Sequence, residues 1–203
     1  MKIAVLGATG RTGRLVVRQA LDAGHTVRAL ARDPGKLELT HASLEVVKGD
    51  ASDRDAVARL VDGVDCVVSA LGPTSGRKDI CSARTENVLA ARPRRYVIVS
   101  GAGLDVPGDR KDVPGKIVSK LIRWISPAVF HDKVRELELL RASDTPWVLV
   151  RPPRLVDSPP KRDAQVHLER SPGSSISREA LAAFVLRCAS EDTYVGKAPF
   201  VAG

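Results

Sequence analysis

The stretch "KIAVLGATGRTG", residues 2–13, sets the apolar run Ile3 to Leu6 directly before glycines at positions 7, 10 and 13. Glycine loses more backbone freedom on folding than any other residue, so three within seven positions need a reason. The apolar run reads as a short buried strand. The residues after the glycines, "RLVVRQALDAG", set Leu15, Val16, Ala20 and Leu21 on one helical face and end on Gly24, a residue suited to the end of a helix. Between a strand and an amphipathic helix, G-x-x-G-x-x-G is a variant of the dinucleotide fingerprint. Its glycines allow a tight turn and the close approach of backbone to a pyrophosphate, whose charge the free N–H groups of the helix N-terminus favour. Gly7, Thr9, Gly10, Arg11, Thr12 and Gly13 are the cofactor contacts expected from this turn.

The alternation continues along the chain. "HTVRALAR" and "LEVVKGD" read as the second and third strands, and "DCVVSALG" and "RYVIVSGAG" are continuous apolar runs of the kind found in buried parallel strands. Helices are expected over "SDRDAVARLVDG", where Ser52 and Asp55 have capping-box spacing, and over "SARTENVLAARP", which Pro93 stops. Others are expected over 132–143 and after Ser177, with strands in "PWVLVRPPRLV" and near "APFVAG". Alternating β and α units imply an α/β fold, a doubly wound parallel sheet of Rossmann type. The 203 residues suit one NAD(P)-binding domain with a small C-terminal substrate-binding part. Residues 105–130 break the rhythm and read as a lid or insertion. Two Pro-Gly pairs there precede "KIVSKLIRWIS", whose Ile117, Leu121, Trp124 and Ile125 form an apolar stripe. Trp124 in a lid would cover a flat aromatic substrate; a dimer contact and core packing are the alternatives.

Composition excludes several classes. No run is long enough to span a bilayer, and the N-terminal apolar segment is interrupted too soon for a signal peptide. Cys66, Cys81 and Cys188 lack metal-type spacing and read as reduced thiols, so a cytoplasmic protein with no metal and no membrane partner is expected. The net charge of +8 raises nucleic acid as a partner, but the basic residues are scattered and aromatics are only 3%, which leaves few stacking platforms. The expectation is a small planar substrate, no nucleic acid, and a monomer or homodimer.

The end of the second strand reports nucleotide preference, because a carboxylate there binds the ribose 2′-OH of NAD and an arginine accommodates the 2′-phosphate of NADP. In "ALARDPGKL", Arg32 stands at the strand end with Asp33 next and Lys36 beyond, and Arg11 adds a cation from the glycine turn. NADP(H) is therefore preferred, with NAD(H) the alternative that Asp33 keeps open. Asp50 and Ala51 in "GDAS" are expected at the adenine, and Ala70, Leu71 and Gly72 in "SALG" beside the middle of the cofactor. Ser100 ends the fifth strand near the expected nicotinamide, either as a substrate contact or as a serine capping the strand end.

"GATGRTG", "ARDPGKL", "VKGDASD", "VVSALG", "VSGAG", "HDKVRELELLRASDTPWVLVRPPRLVD" and "SISREALAAFVLRC" together resemble the atypical short-chain dehydrogenase/reductases. More narrowly, they resemble the NAD(P)H-binding family that includes NmrA-like proteins and the flavin reductase/biliverdin reductase B type. In orthodox short-chain enzymes a tyrosine donates the proton, and a lysine four residues later lowers its pKa and holds the nicotinamide ribose. The resemblance places Lys133 at that lysine, but Val129 stands where the tyrosine would be, and neither Tyr96 nor Tyr194 replaces it. His131 is the local candidate for proton donor, since histidine is the side chain that ordinarily changes charge near neutrality; a surface histidine is the alternative. Pro152 and Pro153 in "RPPRLVD" match the family's loop beside the nicotinamide amide. Arg154 is directed at substrate or a cofactor phosphate, where the biliverdin reductase B type has a histidine.

These observations imply an NADPH-dependent oxidoreductase that transfers hydride to a flavin, quinone or conjugated carbonyl compound without the tyrosine–lysine relay. Ser100, His131 and Lys133 are its candidate catalytic residues, and Trp124 and Arg154 its candidate substrate contacts. A non-catalytic NADP(H) sensor of the NmrA-like kind also accounts for the missing tyrosine. An epimerase or dehydratase of the atypical type is a third reading.

Overall fold

The computed structural model describes residues 1–72, 80–160 and 163–203, with the side chains of 114, 118 and 122 outside that set. Its main sheet contains β1 (Lys2–Leu6), β2 (Thr26–Ala31), β3 (Leu44–Lys48), β4 (Cys66–Ser69), β5 (Tyr96–Val99) and β6 (Trp147–Val150). All neighbours are parallel, in the order β3-β2-β1-β4-β5-β6. The order reverses at β1 and β4, and the crevice outside their carboxyl ends is where such a sheet receives a ligand.

Side chains alternate across each strand, so the apolar runs feed two cores. Ile3 and Val5 pack with α1 (Arg11–Asp22) and α6 (Arg178–Ser190). Ala4 and Leu6 pack on the other face with α2 (Arg54–Val61), α3 (Ile80–Ala90) and α5 (Pro127–Arg141). Cys66, Cys81 and Cys188 are free and buried, and burial pushes their thiols up to about 12, 11 and 12 respectively. Among the described residues no helix is long and apolar enough to cross a membrane, and no three potential metal ligands gather.

Several boundaries differ from the sequence reading. The cap of α2 is Asp53, not Ser52: its carboxylate accepts from the Asp55 and Ala56 amides at 2.9 and 3.3 Å. α5 starts at Pro127 rather than 132, because a proline in the first turn has no amide to leave unpaired and a φ already near helical. The single strand expected over 146–156 is two. The Pro152-Pro153 pair offers no amide to a ladder, so β6 ends before it, and β7 (Arg154–Val156) pairs instead with β9 (Ser175–Ser177). The break at 105–130 contains α4 (Val113–Ile125), which takes the second Pro-Gly pair into its first turn. β8 (Gln165–His167), antiparallel to β10 (Phe200–Ala202), completes the strands.

The C-terminal segment runs beside β6, with the Leu149 and Arg151 amides donating to the carbonyls of Lys197 and Pro199 at 3.1 and 2.8 Å. The Arg151 side chain secures it. That guanidinium is 1% exposed, grips Asp109 through 2.7 and 2.8 Å bonds, donates to the Ala198 carbonyl and stacks over Phe200 at 3.7 Å. One buried ion pair thereby ties the loop after β5 and the final strand to the end of β6. Asp109→Ala leaves a buried cation without its counter-charge, and a loss of about 3–5 kcal/mol is expected, read from the urea unfolding midpoint.

Candidate functional site

The glycine turn is shaped by contact. Gly7 has φ +80, and a Cβ on it would lie 3.0 Å from the Ala70 carbonyl; a Cβ on Gly13 would lie 2.0 Å from the Gly7 oxygen. Side chains are excluded, and the start of α1 is drawn into the crevice between β1 and β4. Gly10 caps α1 with no side-chain hydrogen bond, and the first turn carries no acid. With no side chain capping them and no acid beside them, the first amides of α1 and its dipole favour an anion, so these residues fit the dinucleotide that the fingerprint implies. Thr9 is half-buried at the turn and Thr12 is buried. Arg11 donates to Asp157 at 3.1 Å, a carboxylate it shares with Arg178, and this ion pair draws it toward the end of β7 rather than toward Arg32.

At the end of β2, Arg32 is exposed and lies 3.9 Å from the Asp50 carboxylate. Asp33 caps the turn Pro34–Leu37, accepting from the Gly35 amide at 3.2 Å, and sits 3.9 Å from Lys36. The sequence reading passed over Arg14, which reads in the sequence as an ordinary solvated helix arginine. It reaches across to the Lys36 carbonyl and to Glu38, while its Nε is buried without a partner. Arg14, Arg32 and Lys36 therefore gather around the end of β2, each within ion-pairing distance of a carboxylate, Glu38, Asp50 and Asp33 respectively. The Ser52 amide holds the Asp50 carboxyl below its ordinary value against partial burial, and Arg84 and Arg32 assist. Ala51 is buried with its carbonyl on Asn87, and the Gly72 carbonyl accepts from Arg84 at 3.3 Å. Ala70 and Leu71 back the Gly7 turn.

The other end of the crevice is a cavity of about 180 Å³ lined by Ser100, Gly101 and Leu104 from the end of β5 and by Val129, Phe130 and Lys133 from α5. The Pro152 carbonyl accepts from Ala102 at 2.8 Å, so the proline pair supports the wall that carries Gly101 and Leu104. The Ser100 hydroxyl oxygen is buried with no hydrogen-bond partner. Val129 and Lys133 are four residues apart and share a helix face. His131, two residues from each, points the other way: it is exposed, its ring edge-on to Phe130 at 5.9 Å, and it is not brought to the cavity. Trp124 and Arg154 are also exposed and outside this lining; Arg154 flanks a separate concavity with Ser158 and Ser177.

A buried polar chain, absent from the sequence reading, leads away from Lys133. Its ammonium donates to Glu136 at 2.8 Å, Thr85 donates to the other Glu136 oxygen at 3.2 Å, and the Tyr96 hydroxyl lies 3.4 Å from Thr85. Burial works against the Lys133 charge, but Glu136 and then the Cys81 sulfur outweigh it and raise the lysine above its ordinary value. Burial also pushes the Tyr96 hydroxyl above its ordinary value, and Tyr96 is not among the residues that line the cavity. The only sequence signal was Lys133 and Glu136 at i, i+3, a spacing that also describes a solvated helix pair.

A dinucleotide-binding sheet with a glycine cradle at its switch point defines the class. The chain belongs to the NAD(P)H-binding family, whose model matches residues 7–192. It is 34% identical over 151 residues to a (4-alkanoyl-5-oxo-2,5-dihydrofuran-3-yl)methyl phosphate reductase of Streptomyces griseus, which covers 74% of this chain and 46% of that protein. The chain thus spans under half of that relative's length. It is 26% identical to the reductase PytE of Aspergillus terreus, over 97% of this chain and 95% of that one. The anaerobillin reductase ChuY of Escherichia coli O157:H7 superposes with a TM-score of 0.82 at 18% identity, covering 100% of this chain and 97% of the other.

Beside the cavity, Asp132 is buried and accepts from the Cys81 and Ser82 amides at 2.8 and 3.0 Å, capping α3 from α5. Burial opposes its charge, yet the Ser82 hydroxyl and these amides hold its carboxyl below the ordinary value. A depressed folded pKa stabilises above the unfolded value and is lost as pH falls through the folded one. Asp132→Asn should therefore lose about 1 kcal/mol at neutral pH, the difference between a charge-assisted and a neutral hydrogen bond, with the gap to wild type closing as urea titrations descend through and below the carboxylate range.

Proposed function

We propose that this protein is an NADPH-dependent oxidoreductase that passes hydride to a small planar acceptor, a flavin, a quinone or a conjugated carbonyl compound. The observation that carries the reading is the cavity at the end of β5, where Val129 stands one helical turn before Lys133 and no acid appears among the described lining residues. The Streptomyces and Aspergillus relatives are also reductases. The nicotinamide, when bound, supplies the hydride. Ser100, with an unpartnered hydroxyl, would bind a carbonyl or amide oxygen at the mouth of β5. Lys133, kept charged by Glu136, would hold a ribose hydroxyl and fix the ring beside the apolar wall of Val129 and Phe130. A flavin or quinone holds its reduced charge on a delocalised ring, so solvent suffices as the proton source.

NADP(H) is favoured over NAD(H) by the cations Arg14, Arg32 and Lys36 around the end of β2, and by the use of Asp33 in capping the Gly35 amide. A second reading, a non-catalytic NADP(H) sensor, is favoured by the tie between Lys133 and Glu136. The test is oxidation of NADPH by the pure protein against a panel of flavins, quinones and enones. Turnover with at least one acceptor is expected; tight NADPH binding with no oxidation by any of them rejects the enzyme in favour of the sensor. Arg32→Glu should weaken NADPH binding about tenfold or more and leave NADH binding little changed, measured by calorimetry. An unchanged NADPH affinity removes the 2′-phosphate assignment.

A further inference from the structure

α4 is held by its polar back. Ser119 is 4% exposed and its hydroxyl accepts from the Lys111 ammonium at 2.8 Å. Lys111 is itself buried, donating to the carbonyls of Ala102 and Leu104 and to Asp105. On the outward side Val113, Ile117, Leu121 and Trp124 follow at i, i+4, i+8 and i+11, one continuous stripe. All four are exposed, Trp124 by 82%, and Ile125 extends the patch. A surface helix ordinarily turns such a stripe to the core. Here a run of exposed Lys116, Lys120 and Arg123 borders it, and α4 contains no Asp or Glu.

We propose that α4 is an interfacial helix that docks the protein on an anionic lipid bilayer. Ile117, Leu121 and Trp124 enter the boundary between headgroups and acyl chains, while Lys116, Lys120 and Arg123 meet lipid phosphates along the same edge. An apolar face with a tryptophan, flanked by cations alone, is the pattern such helices use. The chain's net charge of +8 adds attraction at longer range. A second copy of this helix is a poorer occupant, because twofold pairing confronts the same three cations with no carboxylate of α4 to answer them. The absence of a spanning segment, which led to the expectation of no membrane partner, does not bear on a helix lying in the surface. Docking requires neither cofactor nor acceptor, so it stands apart from the hydride-transfer reading.

The experiment is co-sedimentation of the full chain with vesicles of phosphatidylcholine alone and of phosphatidylcholine and phosphatidylglycerol in equal parts. Binding to the anionic vesicles only is expected, with a blue shift of tryptophan emission. Trp147 is buried in β6, so the shift belongs to Trp124 and should vanish in Trp124→Phe. Leu121→Glu, at an exposed position, should keep the urea midpoint and lose about tenfold or more in partitioning; Lys116→Glu with Lys120→Glu should lose a similar amount. No binding to anionic vesicles overturns the proposal. So does undiminished binding of Leu121→Glu, which would be adsorption by net charge alone. A dimer that Leu121→Glu dissociates, in a protein that ignores vesicles, assigns the stripe to a second copy instead.

Discussion

The contact between Gly13 and the Gly7 carbonyl is the constraint on which the ligand end of this molecule depends. A single methyl group on Gly13 would sit 2.0 Å from that oxygen, so α1 reaches its place only because both positions are bare. Once α1 is seated, its first amides point into the crevice, and the crevice exists there because β4 lies on the other side of β1 from β2. The same seating brings Arg14 across to the turn that follows β2. Pyrophosphate recognition and the cationic surround at residues 32–36 thus follow from one steric fact about one helix.

The acceptor end obeys a different constraint, the phase of α5. Starting that helix at Pro127 puts Val129, Lys133 and Leu137 on related turns, Val129 and Lys133 toward the cavity and Leu137 in the core. Asp132 and Glu136 take the neighbouring face and meet α3, one at its N-terminal amides and one at Thr85. Two buried carboxylates are expensive unless each is satisfied, and here each has two partners. The lysine that a family resemblance brings to attention is thus a component of helix packing as well as of the site. Its charge is set from the core side, by Glu136, before any ligand enters.

Most of the fold was legible in the sequence because it follows from periodicity. Apolar runs, continuous in β4 and β5 but interrupted by Arg28 in β2 and by Glu45 in β3, became strands of the parallel sheet, and Gly24 and Gly63 ended their helices with φ +76 and +66. What failed was local competition between similar residues. Ser52 and Asp53 both resemble caps, and the carboxylate won. Strands of three residues, β8 and β9, are too short to show a period at all. In the site, the glycine cradle was readable because its spacing follows a strand and opens a helix, whereas Ser100 was placed by its strand end and Lys133 by the family resemblance alone. His131 takes the surface position that was its alternative, because on α5 it lies two residues from both Val129 and Lys133. Glu136, Thr85 and Tyr96 were invisible because their chain crosses three elements far apart in sequence.

The two ends of the crevice also divide the chemistry. Cations and backbone donors gather at the β1–β2 end, where a ligand bearing phosphates gains most from fixed charge. At the β5 end the lining is nearly all apolar, and its one ammonium is already answered by Glu136. In the proposed hydride transfer, such a lining would orient a flat ring and shield it from water. Val129 presents an apolar side chain beside the unpartnered Ser100 hydroxyl, and Lys133, with one N–H on Glu136, keeps donor capacity for a ligand. The buried Glu136 therefore keeps its counter-charge while Lys133 still lines the cavity. The polar chain behind α5 and the cavity in front of it thus share one side chain, Lys133.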